Sequence, residues 1–152
     1  MKRELVKNWM SREVITVTPD TSLTKLHRLM TDYKIRRIPV IKKGRLAGIV
    51  TLGDIREAEP SGATSLSIWE INYLIAKLQA KDIMTRNPVT ISPEATVGEA
   101  AKLMLQHKVS GLPVVDEDNR VIGIITESDI FRMVVEAWSK KEPDPVVLMA
   151  MR

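Results

Sequence analysis

Thr51-Leu52-Gly53-Asp54-Ile55 in the first half of the chain returns as Thr126-Glu127-Ser128-Asp129-Ile130 in the second. The same run leads into each: an apolar segment ending in Pro-Val, a short polar turn, then Gly-Ile-apolar-Thr. Arg37-Ile38-Pro39-Val40-Ile41 answers Gly111-Leu112-Pro113-Val114-Val115, and Gly48-Ile49-Val50-Thr51 answers Gly123-Ile124-Ile125-Thr126. Met84 follows Met10 by 74 residues, and one extra residue in the second turn makes the spacing 75 thereafter. From Gly44/Asn119 to Ile55/Ile130, six of twelve aligned positions are identical. A period this long is too long for a solenoid repeat, so the chain must be two small modules packed as one domain.

At 152 residues the chain can bury an ordinary single-domain core, and 44% hydrophobic with 28% charged residues is a globular composition. With no cysteine, disulfide and thiol chemistry are excluded. No apolar run approaches the ~18 residues of a membrane span. Met1-Lys2-Arg3-Glu4-Leu5 lacks a signal peptide's apolar stretch, so a cytoplasmic protein is expected. The net charge of +4 suits a phosphorylated ligand and equally serves solubility. Aromatic residues make up only 4%, which disfavours stacking on single-stranded nucleic acid.

Each repeat reads strand, helix, strand, strand, helix. In the first, the spacing predicts a strand over Ile15 to Val17, a helix over Leu23 to Asp32, strands over Arg37 to Ile41 and Leu46 to Thr51, and a short helix from about Gly53. In the second, Val89-Thr90-Ile91 alternates as a strand, and Thr96-Val97-Gly98-Glu99 forms a capping box opening a helix to about His107. Strands over Leu112 to Val115 and Val121 to Thr126 flank a turn at Asp116-Glu117-Asp118-Asn119, and a helix runs from Ser128 to about Trp138. Between the repeats, Glu59-Pro60-Ser61-Gly62 breaks the chain. Ser67-Ile68-Trp69-Glu70 then reads as another capping box and starts a helix with Ile71, Leu74, Ile75 and Leu78 on one face, an ordered element expected to pack. The expected organisation is repeat 1 over 4–58, an ordered linker over 59–78, repeat 2 over 79–138 and a tail over 139–152. Val146-Val147-Leu148-Met149 in the tail forms an apolar strip suited to docking on a partner subunit or to fraying.

This order of elements, with the paired Pro-Val strands and the Thr-x-x-Asp after each Gly-Ile-apolar-Thr strand, resembles the CBS domain, named after cystathionine beta-synthase. That domain occurs in tandem pairs called Bateman modules. The resemblance covers roughly residues 4 to 138. The linker from Ala63 to Leu74 is similar to that of bacterial acetoin-utilisation-type CBS proteins, many of which carry a further domain after the second repeat. The resemblance implies an α/β fold of two repeats related by a pseudo-twofold and paired into a homodimer. It also implies a regulatory module that needs no cofactor, binds AMP, ADP, ATP or S-adenosylmethionine between its repeats, and acts on a regulated partner protein.

A carboxylate accepts hydrogen bonds from both ribose hydroxyls at once, which fits Asp54 and Asp129 to that role. Thr51 and Thr126 offer hydroxyls to ribose or phosphate. As plain helix caps, the same residues need no ligand. In nucleotide-binding relatives the ribose carboxylate comes from one repeat and most of the adenine slot from the other. One expected cleft joins Thr51 and Asp54 to Met84, Val89, Val109, Ser110, Gly111 and Pro113. The other joins Thr126 and Asp129 to Met10, Ile15, Ile35, Arg36, Arg37 and Pro39, with Arg132 adding charge. The apolar members serve equally as core.

The two clefts differ before the Pro-Val strand: Arg36-Arg37 in repeat 1 stands where repeat 2 has Ser110-Gly111. Guanidinium groups bind phosphate bidentately, and serine and glycine do not replace that charge. The cleft with Asp129, Arg36 and Arg37 is therefore expected to prefer AMP, ADP or ATP, and that with Asp54, Ser110 and Gly111 to bind nucleotide weakly or take a less anionic adenosine derivative. His27 and His107 have no companions at metal-ligand spacing, so no metal site is expected. No Ser/His/Asp set, paired catalytic carboxylates or Gly-rich phosphate loop appears, so an enzyme is not expected. The rival reading is a structural module with vestigial clefts that acts by dimerisation or partner docking. Nucleic-acid binding through the positive charge is disfavoured further by the lack of a basic-aromatic stripe.

Overall fold

The computed structural model describes residues 4–59 and 65–139. The break at 60–62 and the apolar strip at 146–149 lie outside them. In chain order the elements are α1 (Val6–Trp9), α2 (Leu23–Tyr33), β1 (Arg37–Lys42), β2 (Arg45–Thr51), α3 (Leu52–Ala58), α4 (Ile68–Lys77), α5 (Ala80–Ile83), β3 (Thr85–Arg86), α6 (Val97–His107), β4 (Gly111–Val115), β5 (Val121–Thr126) and α7 (Glu127–Ser139). They group into two compact units. One gathers the chain up to Arg12, Val89–Val114 and the chain from Gly123 onward; the other gathers Glu13–Pro88 and Val115–Ile122. The units do not coincide with the sequence repeats. α1, at the head of the first repeat, packs in the unit of the second, and α5, its counterpart, packs in the unit of the first.

In the unit of the first repeat, Ser22 Oγ accepts from Lys25 N at 3.2 Å and starts α2. Lys34, left-handed at φ 54°, ends it. β1 and β2 form an antiparallel hairpin closed by Lys43 (φ 52°) and Gly44 (φ 79°), the two positive φ values that a tight two-residue turn between twisted strands demands. β3 adds to β2 through Gly48↔Arg86 and Ile49↔Thr85. Leu26, Met30, Ile38, Val40, Val50, Ile55 and Ala80 close the core, with Ile75 and Leu78 packed against it. The side chain of Asn119 and its backbone carbonyl both bond Leu46, at 3.2 and 3.0 Å.

In the other unit the Thr96–Glu99 capping box is present in full: Thr96 Oγ1 accepts from Glu99 N at 3.1 Å, and Glu99 Oε2 accepts from Thr96 N at 3.0 Å. Lys108 (φ 54°) ends α6 as Lys34 ends α2. Val6, Met10, Val97, Ala100, Met104, Leu112, Ile125 and Met133 are buried there.

Three expectations change. Ile15 to Val17 and Val89 to Ile91 contribute only single parallel bridges, Val17↔Val40 and Ile91↔Val114, because each segment meets its neighbour over too short a length for a ladder. Glu70 does not complete a reciprocal box: Ser67 Oγ accepts from Glu70 N, but the hydroxyl then donates to Glu70 Oε1 at 3.2 Å. No residue of α4 is buried, so its apolar face only half-packs.

One contact recurs in both units. A Cβ on Gly48 would stand 2.6 Å from Met84 Sδ and 2.8 Å from the Thr85 carbonyl oxygen. One on Gly123 would stand 2.5 Å from Met10 Sδ and 2.9 Å from the Ser11 carbonyl oxygen. Each methionine lies over a glycine, and the segment after it bridges the strand beside that glycine: Thr85 to Ile49, and Ser11 to Ile124. The Gly123→Ala substitution is expected to lower stability by roughly 1–3 kcal/mol, the usual cost of overpacking. Adding Met10→Ala should recover only part of it, since the Ser11 carbonyl still crowds the new methyl. Urea midpoints of the two variants test this.

Candidate functional site

Each Thr-x-x-Asp lies where a strand turns into a helix. At the β2–α3 junction Thr51 Oγ1 accepts from Asp54 N at 3.1 Å, and Asp54 Oδ2 accepts from Thr51 N at 2.8 Å. Among the described residues Asp54 Oδ1 has no partner. At the β5–α7 junction Asp129 Oδ2 accepts from Thr126 N at 2.9 Å and from the Thr126 hydroxyl at 3.3 Å. Here Oδ1 is also engaged, by Arg132 Nη2 at 3.1 Å. The same guanidinium nitrogen donates to the Trp9 carbonyl at 3.2 Å, and the group sits 5.8 Å from the Trp9 ring centroid. Trp9 Nε1 in turn donates to Glu4 Oε2 at 3.0 Å.

The junctions therefore share the bond from the threonine amide to the aspartate, and differ in the hydroxyl, which accepts from Asp54 N in one and donates to Asp129 in the other, and in charge. Asp129 is buried and paired, whereas Asp54 is half-buried with one oxygen unpartnered among the described residues. Glu57 stands three residues after Asp54, where Arg132 follows Asp129. Arg132 was legible as a nearby charge, but Trp9 and Glu4 were not: no spacing in the sequence connects them to α7.

The other expected residues distribute as follows. Met10 is buried over Gly123, in the unit that holds Thr126, Asp129 and Arg132; Met84 lies over Gly48, in the unit of Thr51 and Asp54. Ile35 is half-buried and Arg36 exposed, in the stretch between Lys34 and β1, and the Arg36 carbonyl accepts from Leu52 N at 2.8 Å. Arg37 opens β1 opposite Thr51, and Pro39 is buried in it. Ile15 is half-buried ahead of the Val17 bridge. In the other unit Val109 and Ser110 are exposed, and the Ser110 carbonyl accepts from Glu127 N at 3.0 Å. Gly111 and Pro113 are buried in β4, and Val89 is half-buried. In both units the backbone before the Pro-Val strand is tied to the residue that begins the Asp helix. This fixes that basic or neutral pair beside its own Thr-x-x-Asp.

Among the described residues no group of three or more His, Asp or Glu side chains converges as a metal site. No helix of the described chain is long and apolar enough to cross a membrane. The Arg132–Asp129 pair has an exposed guanidinium, so Arg132→Ala is expected to change stability by under about 1 kcal/mol. Asp129→Ala should cost about 1–3 kcal/mol, because it removes the acceptor for Thr126 N and for the Thr126 hydroxyl at the start of α7. Chemical denaturation of both variants separates the two contributions.

The family model described as CBS domain matches residues 6–61 and 80–136. Among curated relatives, inosine-5'-monophosphate dehydrogenase of Korarchaeum cryptofilum is 38% identical over 82% of this chain, and the chain spans only 23% of that protein. Among solved structures, the CBS domain pair of protein MJ0100 in complex with 5'-methylthioadenosine and S-adenosyl-L-methionine is 31% identical, with a TM-score of 0.73. The alignment covers 88% of this chain and 97% of that one. CBSX2 in complex with AMP is 28% identical with a TM-score of 0.74, covering 88% and 98%. The acetoin utilization protein AcuB from Vibrio cholerae is 25% identical with a TM-score of 0.74 over 90% of this chain and 96% of that one. The match over both repeats, with the doubled strand–Thr-x-x-Asp–helix junction, makes this chain a member of the CBS-domain family that carries a tandem pair of the domain.

Proposed function

We propose that the chain is a regulatory module that senses an adenosine-bearing ligand and is not itself an enzyme. The observation that carries this is the pair of Thr-x-x-Asp junctions at equivalent places, each presenting a carboxylate beside a helix start. It is supported by the adenosine compounds bound to two chains of similar structure.

In this reading Asp129 would hold ribose and Arg36 and Arg37 its phosphates, with Met10, Ile15, Ile35 and Pro39 serving the base. The resident Arg132 would exchange the Asp129 carboxylate for phosphate, since its guanidinium is exposed and loses little on leaving. Asp54, with Met84, Val89, Val109, Ser110, Gly111 and Pro113, would take a less anionic adenosine such as S-adenosylmethionine. The module works as a cytoplasmic homodimer acting on a regulated protein. A signal passes only if the ligand binds one arrangement better than another.

Calorimetric titration of nucleotide-stripped protein with AMP, ADP, ATP and S-adenosylmethionine tests the reading. Saturable binding of a nucleotide is expected, lost in Asp129→Ala and weakened at least tenfold in Arg37→Ala. Loss in Asp54→Ala with Arg37→Ala unchanged would move the nucleotide to the other carboxylate. No heat with any of the four ligands would favour the structural docking module.

A further inference from the structure

The Asp129 carboxylate already has an occupant. Arg132 Nη2 donates to its Oδ1 at 3.1 Å and to the Trp9 carbonyl at 3.2 Å, with the guanidinium 5.8 Å from the Trp9 ring centroid. The Trp9 ring is held in turn, since its Nε1 donates to Glu4 Oε2 at 3.0 Å. The carboxylate side chain is 12% exposed and the guanidinium side chain 61%, so one partner is enclosed and the other faces water. The Trp9 carbonyl and ring keep Arg132 beside Asp129 even when another donor takes Oδ1. Glu4, Trp9, Asp129 and Arg132 all belong to one unit. Asp54 Oδ1 has no such occupant among the described residues.

We infer that Arg132 sets the charge of the ligand that the Asp129 junction accepts. It admits adenosine compounds that carry a 5'-phosphate and turns away those that are neutral or cationic there. This rests on the reading that Asp129 holds ribose, and adds a group that rejects ligands. Ribose hydroxyls are neutral donors. When they take Oδ1, they displace a cation from an enclosed carboxylate without replacing its charge. A 5'-phosphate makes up that loss, because the guanidinium retained by Trp9 pairs with it through charge-assisted hydrogen bonds. The same positive charge offsets the repulsion between phosphate and Asp129. Adenosine offers Arg132 nothing in return, and the sulfonium of S-adenosylmethionine opposes it. Selection then comes from a penalty on the wrong ligand as well as attraction of the right one. Because the pair is largely exposed on the arginine side, that penalty is limited to about fivefold in affinity. The charge-assisted bond to phosphate is worth about tenfold or more.

Calorimetric titration with AMP, adenosine and S-adenosylmethionine tests this in an Asp54→Ala background, which removes the other carboxylate. Adding Arg132→Ala should raise the dissociation constant for AMP about tenfold and lower that for adenosine by up to about fivefold. The constant for S-adenosylmethionine should fall with that for adenosine. Arg132→Gln should repeat the pattern, and urea midpoints check that the variants fold. A damaged fold would weaken all three ligands together, so shifts of opposite sign separate selection from packing. AMP and adenosine moving in the same direction, or adenosine gaining nothing, overturns the inference; if Asp129→Ala still abolishes AMP binding, ribose stays on that carboxylate. AMP binding that survives Asp129→Ala overturns both.

Discussion

Methionine sulfur lying against bare glycine backbone fixes where each leading segment goes. Met10 can settle over Gly123, and Met84 over Gly48, only because no Cβ intervenes. The approach also lets Ser11 and Thr85 join the neighbouring strand. Much else is downstream of it. α1 and α5 have four residues each, too short to be stable alone, and they owe their place to this seat and to burial of Val6 and Ala80. The strand so anchored runs straight into the Thr-x-x-Asp junction, so a packing contact positions a candidate binding carboxylate.

The two junctions illustrate how one local solution serves two ends. A threonine and an aspartate three residues apart satisfy free amides at a helix start, and the backbone accounts for their geometry without any ligand. What the cap does not explain is the spare carboxylate oxygen. In one copy it has no partner among the described residues; in the other it is occupied by an arginine that lies over the Trp9 ring and is tied to the Trp9 carbonyl. Every carboxylate brings a second oxygen, so the copies differ in what surrounds that oxygen and not in its supply.

The α2, α6, β1, β2, β4 and β5 elements were legible from periodicity and caps, since each is long enough to show a pattern. Ser22 and Thr96 begin their helices as the residue types predict. The failures have a common cause in length. Segments of three residues, such as Ile15 to Val17 and Val89 to Ile91, alternate like strands but have room for one bridge only. One-turn helices such as Val6–Trp9 show no period at all. The repeated glycines and methionines were visible as repeats, but nothing in a linear comparison indicates that Gly48 belongs with Met84 and not with Met10. The candidate carboxylates were found because the doubled motif marks them. The Trp9–Arg132 contact escaped because the two residues are far apart in sequence and neither recurs at its counterpart, Ile83 or Glu57.

The crossing of the leading segments has a consequence for any half of this chain. A single copy severed from the other would carry its own leading helix but lack the one that completes its unit, leaving Gly48 or Gly123 uncovered beside an unpaired strand edge. Two such halves could make good the deficit only by trading segments, as domain-swapped chains do. Tethering the copies turns that trade inward, and each half becomes the other's missing piece.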